Sequence, residues 1–106
     1  DYRKKYGKWP VFYGAQSYDG ILLIDSAVRA TKGNLKDSMA LVKAMRKADF
    51  NSIRGKFTFG DNNHPIQNFY LLKAVKDASG EYVMQTQKAV FEKHADAYRG
   101  DCKLKW

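Results

Sequence analysis

The stretch Val11–Val28 constrains the fold most. Pro10 keeps the residue before it extended, and Val11, Phe12 and Tyr13 favour strand. Gly14, Ala15 and Gln16 follow, and the pattern then turns helical. Ser17 is the expected N-cap, since its hydroxyl can accept from the unpaired amides of a first turn. Ile21, Leu23, Ile24, Ala27 and Val28 fall on one apolar arc fit to pack on a sheet, with Asp19, Asp25 and Arg29 outside it. A strand that ends where a helix begins is a common ligand position in α/β proteins. At that mouth Tyr13 is the first candidate ligand contact, flanked by Phe12 and Gln16. The plainer alternative for Tyr13 is a strand residue packed in the core, and for Tyr18 a partly exposed surface aromatic.

The remaining elements read from local signals. Asp1–Gly7 looks like the end of a helix closed by Gly7. The helix from Ser17 runs to about Thr31 and stops at Gly33. A second helix is expected over Lys36–Ala48, capped by Asp37 or Ser38, with Leu41, Val42 and Met45 on one side. In Arg54–Phe59 the period changes to two, with Phe57 and Phe59 alternating with Lys56 and Thr58. Gly60-Asp61-Asn62-Asn63 is a turn cluster. Phe69–Lys76 and Glu81–Thr86 read as a hairpin about Asp77-Ala78-Ser79-Gly80. Val90, Phe91, His94 and Tyr98 have helical spacing, which predicts a short helix over Gln87–Tyr98.

With 106 residues the chain makes one domain at most. The net charge of +8 raises the question of an anionic partner, although solvated lysine and arginine faces explain it more simply. Those basic residues include Arg3, Lys4, Lys5 and Lys8 near the start, and Lys103 and Lys105 near the end. No apolar run approaches the roughly 20 residues of a membrane span. Catalysis has little to stand on. His64 and His94 are the two histidines and lie far apart in sequence. No nucleophile elbow, phosphate-binding glycine loop or metal-ligand spacing is present. His94 reads as a packed histidine on the apolar side of its helix. Cys102 is the one cysteine, so the chain forms no internal disulfide. In an exported protein a lone cysteine pairs outside this stretch or stays free.

Three segments carry a resemblance: Tyr13-Gly14-Ala15-Gln16-Ser17-Tyr18-Asp19-Gly20 before an apolar helix, Asp49-Phe50-Asn51-Ser52-Ile53-Arg54-Gly55-Lys56-Phe57-Thr58-Phe59, and His64-Pro65-Ile66-Gln67-Asn68-Phe69-Tyr70. In this order and spacing, from about Tyr6 to Tyr82, they resemble the late part of periplasmic substrate-binding proteins of the branched-chain amino acid (Leu/Ile/Val) transporter type. The resemblance implies an α/β fold, the C-terminal fragment of a type I periplasmic binding protein, with helices packed on a sheet plus a β-hairpin. It implies a two-lobed clamp that closes on a small solute without making or breaking a bond, and that needs no cofactor or metal. The implied setting is the periplasm, with an ABC permease in the membrane as partner and an export signal far upstream of Asp1. The implied solute is a branched-chain amino acid or a related small carboxylate. Aromatic acids are open as well, since Tyr13 and Phe12 could offer ring contacts. Family contacts to the solute's charged groups come mostly from upstream segments, so this chain alone is expected to lack a complete site. Its surfaces that faced missing chain would be exposed and apolar, to be covered by homodimerisation or strand exchange.

The competing reading is a basic nucleic-acid-binding domain. Arg54–Phe59 faintly echoes the aromatic strand of an RNA-recognition module. That module needs a βαββαβ order, whereas two helices precede the best strands here. Alternation already accounts for Phe57 and Phe59, so no nucleic-acid partner is expected.

Overall fold

The computed structural model describes residues 1–103; Lys105 of the basic set lies outside them. The elements run α1 (Tyr2–Tyr6), α2 (Phe12–Ala30), α3 (Ser38–Lys47), β1 (Thr58–Phe59), β2 (Pro65–Lys76) and β3 (Tyr82–His94), followed by a 3-10 turn at Arg99–Asp101. The mixed helix and sheet architecture and the hairpin agree with expectation.

Local chemistry sets most of the boundaries. Gly7 ends α1 at φ 72, a left-handed conformation that costs glycine little, and its N–H donates to the Arg3 carbonyl. Asp37 caps α3, its carboxylate accepting from the Ala40 N–H at 3.0 Å. The hairpin turn is held by Asp77, whose Oδ1 accepts from the Ser79 hydroxyl at 2.6 Å and from the amides of Ser79 and Glu81. These hydrogen bonds, the Ser79 hydroxyl first, hold the Asp77 carboxyl below its ordinary pKa.

Two elements differ from the sequence reading. Val11–Tyr13 is not a strand: α2 begins at Phe12, with Val11 extended at the N-cap. Ser17 is therefore interior to the helix and not its cap; its hydroxyl donates to the Tyr13 carbonyl at 2.9 Å. The strand preference of three residues is worth less than continuing a helix that spans 19 residues. The second difference is Gln87–Tyr98, which is no helix. Its first part, to His94, belongs to β3 and pairs with β2, as in Phe69↔Phe91 and Gln67↔His94. The ladder is irregular between Gln67 and Leu72. Each irregularity breaks the period of two, which is how a strand comes to mimic helical spacing.

The sheet order is β1-β2-β3, all antiparallel. Strand β2 changes partner along its length. Pro65 and Ile66 pair with β1, and from Gln67 onward the strand pairs with β3. Helix α2 packs on α3 and α3 on β1, while among the described residues no helix packs along the β2–β3 arm. The arm's tip meets the N-terminal segment through an Arg3–Asp77 ion pair at 3.5 Å. The chain thus forms a helical layer with β1 and a hairpin arm leading away from it, 50 × 35 × 17 Å overall.

The contact between α2 and α3 is built on small residues. Ala27 and Ala44 are the buried hydrophobic residues among those described, and no large side chain is fully buried. The expected apolar arc of α2 is only partly covered: Ala27 is buried, but Ile21 is 66% exposed. Asp19, expected outside the arc, is buried instead. Burial follows what this chain places over the helix, namely α3 and the segment 48–57.

Candidate functional site

The polar side of α2 carries the site. Phe12, Gln16 and Asp19 stand at i, i+4 and i+7, one line along a helix. Asp19 faces the segment after α3. Its carboxylate accepts from the Ser52 hydroxyl at 2.6 Å and from the Ile53 N–H at 3.1 Å. A carboxylate nearly closed off from water needs such donors, and two of them meet much of its capacity. The Ser52 oxygen in turn accepts from the Arg54 N–H at 3.0 Å. Asp19 therefore fixes the backbone at Arg54 through one intervening hydroxyl.

The Arg54 side chain is exposed and joins two further elements. It donates to the Gln67 side-chain oxygen at 3.0 Å. Its guanidinium carbon lies 5.4 Å from the centre of the Phe12 ring, a cation–π distance. No carboxylate lies within ion-pair distance of Arg54 among the described residues. Gln67 is also where β2 leaves β1 for β3, so the group sits at the root of the arm. Here Gln16, Asp19, Arg54, Phe59 and Gln67 line a small cleft of about 220 Å³. Phe57 and Phe59 close one side in edge-to-face contact at 5.3 Å, and Phe57 meets Phe50 at 5.9 Å.

Of the three residues expected to contact ligand, Gln16 lines this cleft and Phe12 packs on its arginine. Tyr13 does not line it. It is 74% exposed and meets Phe12 edge-on at 5.8 Å. The strand-to-helix mouth expected at Tyr13 does not exist, because Tyr13 already belongs to α2. Sequence reasoning missed Asp19, Ser52, Arg54 and Gln67 as a group. The spacing of Phe12, Gln16 and Asp19 is the signal in the sequence, and it emerges only once Phe12 is placed on α2 and not on a strand.

Two other hollows flank the site. A wide one of about 880 Å³ has Leu22, Phe50, Phe57 and Ile66 on its floor and Lys47 and Lys56 at its walls. The second, of about 360 Å³, brings His64 and His94 together despite their separation in sequence. The His94 ring packs on Phe69 at 5.6 Å and Phe91 at 5.0 Å, so it is a packed histidine, though on a strand and not a helix. The Asn62 amide donates to Asp96 beside it at 2.7 Å. No group of three or more side chains able to hold a metal exists among the described residues. No helix among them is long and apolar enough to cross a membrane.

Comparison with known proteins gives consistent results. A family model described as periplasmic binding protein matches residues 1–81. A crystal structure of an ABC transporter solute-binding protein from R. palustris, in complex with benzoate, superposes with a TM-score of 0.77 at 31% identity. The match covers 97% of this chain and 27% of that protein, so the chain spans little more than a quarter of its structural relative. No curated protein matches the chain.

Proposed function

The chain belongs to the periplasmic binding protein family, and from that premise we propose that it is the C-terminal part of a two-lobed solute-binding protein of an ABC importer. The observation that carries the reading is the superposition of nearly the whole chain on a benzoate-bound solute-binding protein. On this reading the helical layer belongs to one lobe and the arm leads to the other. Irregular pairing between Gln67 and Leu72 lets the strands bend where the lobes meet. The wide hollow floored by Leu22, Phe50, Phe57 and Ile66 is the seat of the remaining chain. The protein works in the periplasm and delivers its solute to a membrane permease. It captures and releases without chemistry.

The solute is a small carboxylate, and an aromatic acid fits better than a branched-chain amino acid. The cleft at Arg54 offers a cation and aromatic rings, and among the described residues its one carboxylate, Asp19, is already engaged by Ser52 and Ile53. Gln16 contacts the solute from the cleft and Phe12 from beside the Arg54 guanidinium, and Tyr13 extends the aromatic rim beside Phe12. A nucleic-acid role is disfavoured by Phe57, whose ring is taken up by Phe50 and Phe59. Thermal-shift measurement on the intact protein tests the solute class. Benzoate at a hundred times its Kd is expected to stabilise by about 2.7 kcal/mol, with leucine and valine giving smaller shifts. Stabilisation by leucine alone would reverse the choice, and no shift with any small carboxylate would remove the transport reading.

A further inference from the structure

We infer that Arg54 is the residue that grips the solute's carboxylate, with Phe12 fixing the plane of its guanidinium and Asp19 and Ser52 fixing its backbone. The inference rests on the solute-capture reading and names the residue that performs the recognition.

A guanidinium has five N–H donors in a planar fork that matches a carboxylate edge to edge. At Arg54 one donor is directed to Gln67 and a ring covers part of the group. Donors remain for an incoming anion. Asp19, the acid of the same cleft, is occupied by Ser52 and Ile53, so it leaves the arginine's charge uncompensated. An exposed arginine of this kind is hydrated in the open state. When the two lobes close over the root of the arm, that water is lost. Burying an unpaired guanidinium is unfavourable, whereas burying it against a bidentate carboxylate is not. Closure then favours solutes that carry a negative charge, which makes Arg54 both an anchor and a filter. The ring of an aromatic acid lies against Phe12 and Phe59, where offset or edge contacts are favourable.

The test is binding of benzoate and of its uncharged analogue benzamide to the intact protein, by calorimetry, in wild type and in the Arg54→Gln and Arg54→Lys variants. Arg54→Gln is expected to weaken benzoate binding by about ten- to a hundredfold, the range for hydrogen bonds to a charged group, and to tighten benzamide binding, since closure then buries no unpaired guanidinium. Arg54→Lys recovers only part of the loss, because an ammonium cannot form the paired contact. A merely structural role would shift both ligands together. The Phe12→Leu variant adds an independent check: benzoate weakens by about fivefold, the order of one aromatic contact, and a small aliphatic carboxylate weakens by less, through the loosened guanidinium alone. Wild-type affinity for benzoate in Arg54→Gln overturns the inference and leaves the solute class standing. Absence of carboxylate binding in the wild type overturns both.

Discussion

Expressed alone, the 106-residue chain is expected to run in solution as a dimer or larger assembly and not as a compact monomer. Its radius of gyration is 17.0 Å, against about 13 Å for a compact chain of this length. Its accessible surface is 8843 Å², about 2800 Å² more than the roughly 6000 Å² expected of a folded protein of this mass. That excess is larger than the roughly 1600 Å² buried in an ordinary protein interface. Much of the exposed area is apolar. Phe12 is 60% exposed, Ile21 66% and Phe91 55%, on surfaces of both the helical layer and the arm. Buried apolar area supplies the main stabilisation of a fold, and here two alanines are what the described residues bury fully. Light scattering should return twice the chain mass or more, and a hydrophobic dye should bind. A sharp monomer peak with a cooperative melt and no dye binding would show that the chain is self-sufficient.

Replacing Asp19 by alanine in the intact protein is expected to cost about 2–3 kcal/mol of stability, because two donors lose a charged acceptor in a site nearly closed to water. The Ser52 hydroxyl and the Ile53 N–H are those donors. Alanine itself is a better helix former than aspartate, so helix propensity does not explain a loss in this direction. A matched control lies on the same helix. Asp25 is exposed and pairs with Arg29 at 3.1 Å; its removal should cost no more than about 0.5 kcal/mol, as exposed helix pairs do. Chemical denaturation measures both. On the proposed reading the two variants also separate in function: Asp19→Ala is expected to free the Arg54 backbone and weaken benzoate binding, and Asp25→Ala is not. Equal destabilisation of the two variants would mean that Asp19 does not hold the segment after α3.

These residues also show what the sequence could and could not reveal. Gly7, Asp37 and the Asp77–Gly80 turn are self-contained signals, each acting over a few residues, and each stands where expected. The start of α2 was hidden because Val11, Phe12 and Tyr13 are good strand residues and nothing local marks the cap; Val11 has no side chain able to perform it. The end of β3 was hidden because its irregular register disguises the alternation. The apolar arc of α2 predicts one packed face, yet Ile21 and Ile24 are exposed. Their covering is not supplied by the described residues. The site was the least legible feature. Asp19, Ser52, Arg54 and Gln67 come from three segments, and their grouping depends on how the helix, the following segment and β2 meet. Phe12 and Gln16 are expected from a strand-to-helix geometry that is absent, and they reach the site through helical spacing.

Small-angle scattering of the intact protein, with and without saturating benzoate, tests the central claim most directly. A clamp that shuts on a carboxylate must become more compact when the solute is added, and the Arg54→Gln variant at the same benzoate concentration must stay closer to the open form. Superimposable wild-type curves, at a concentration where calorimetry shows the site filled, would contradict capture by closure.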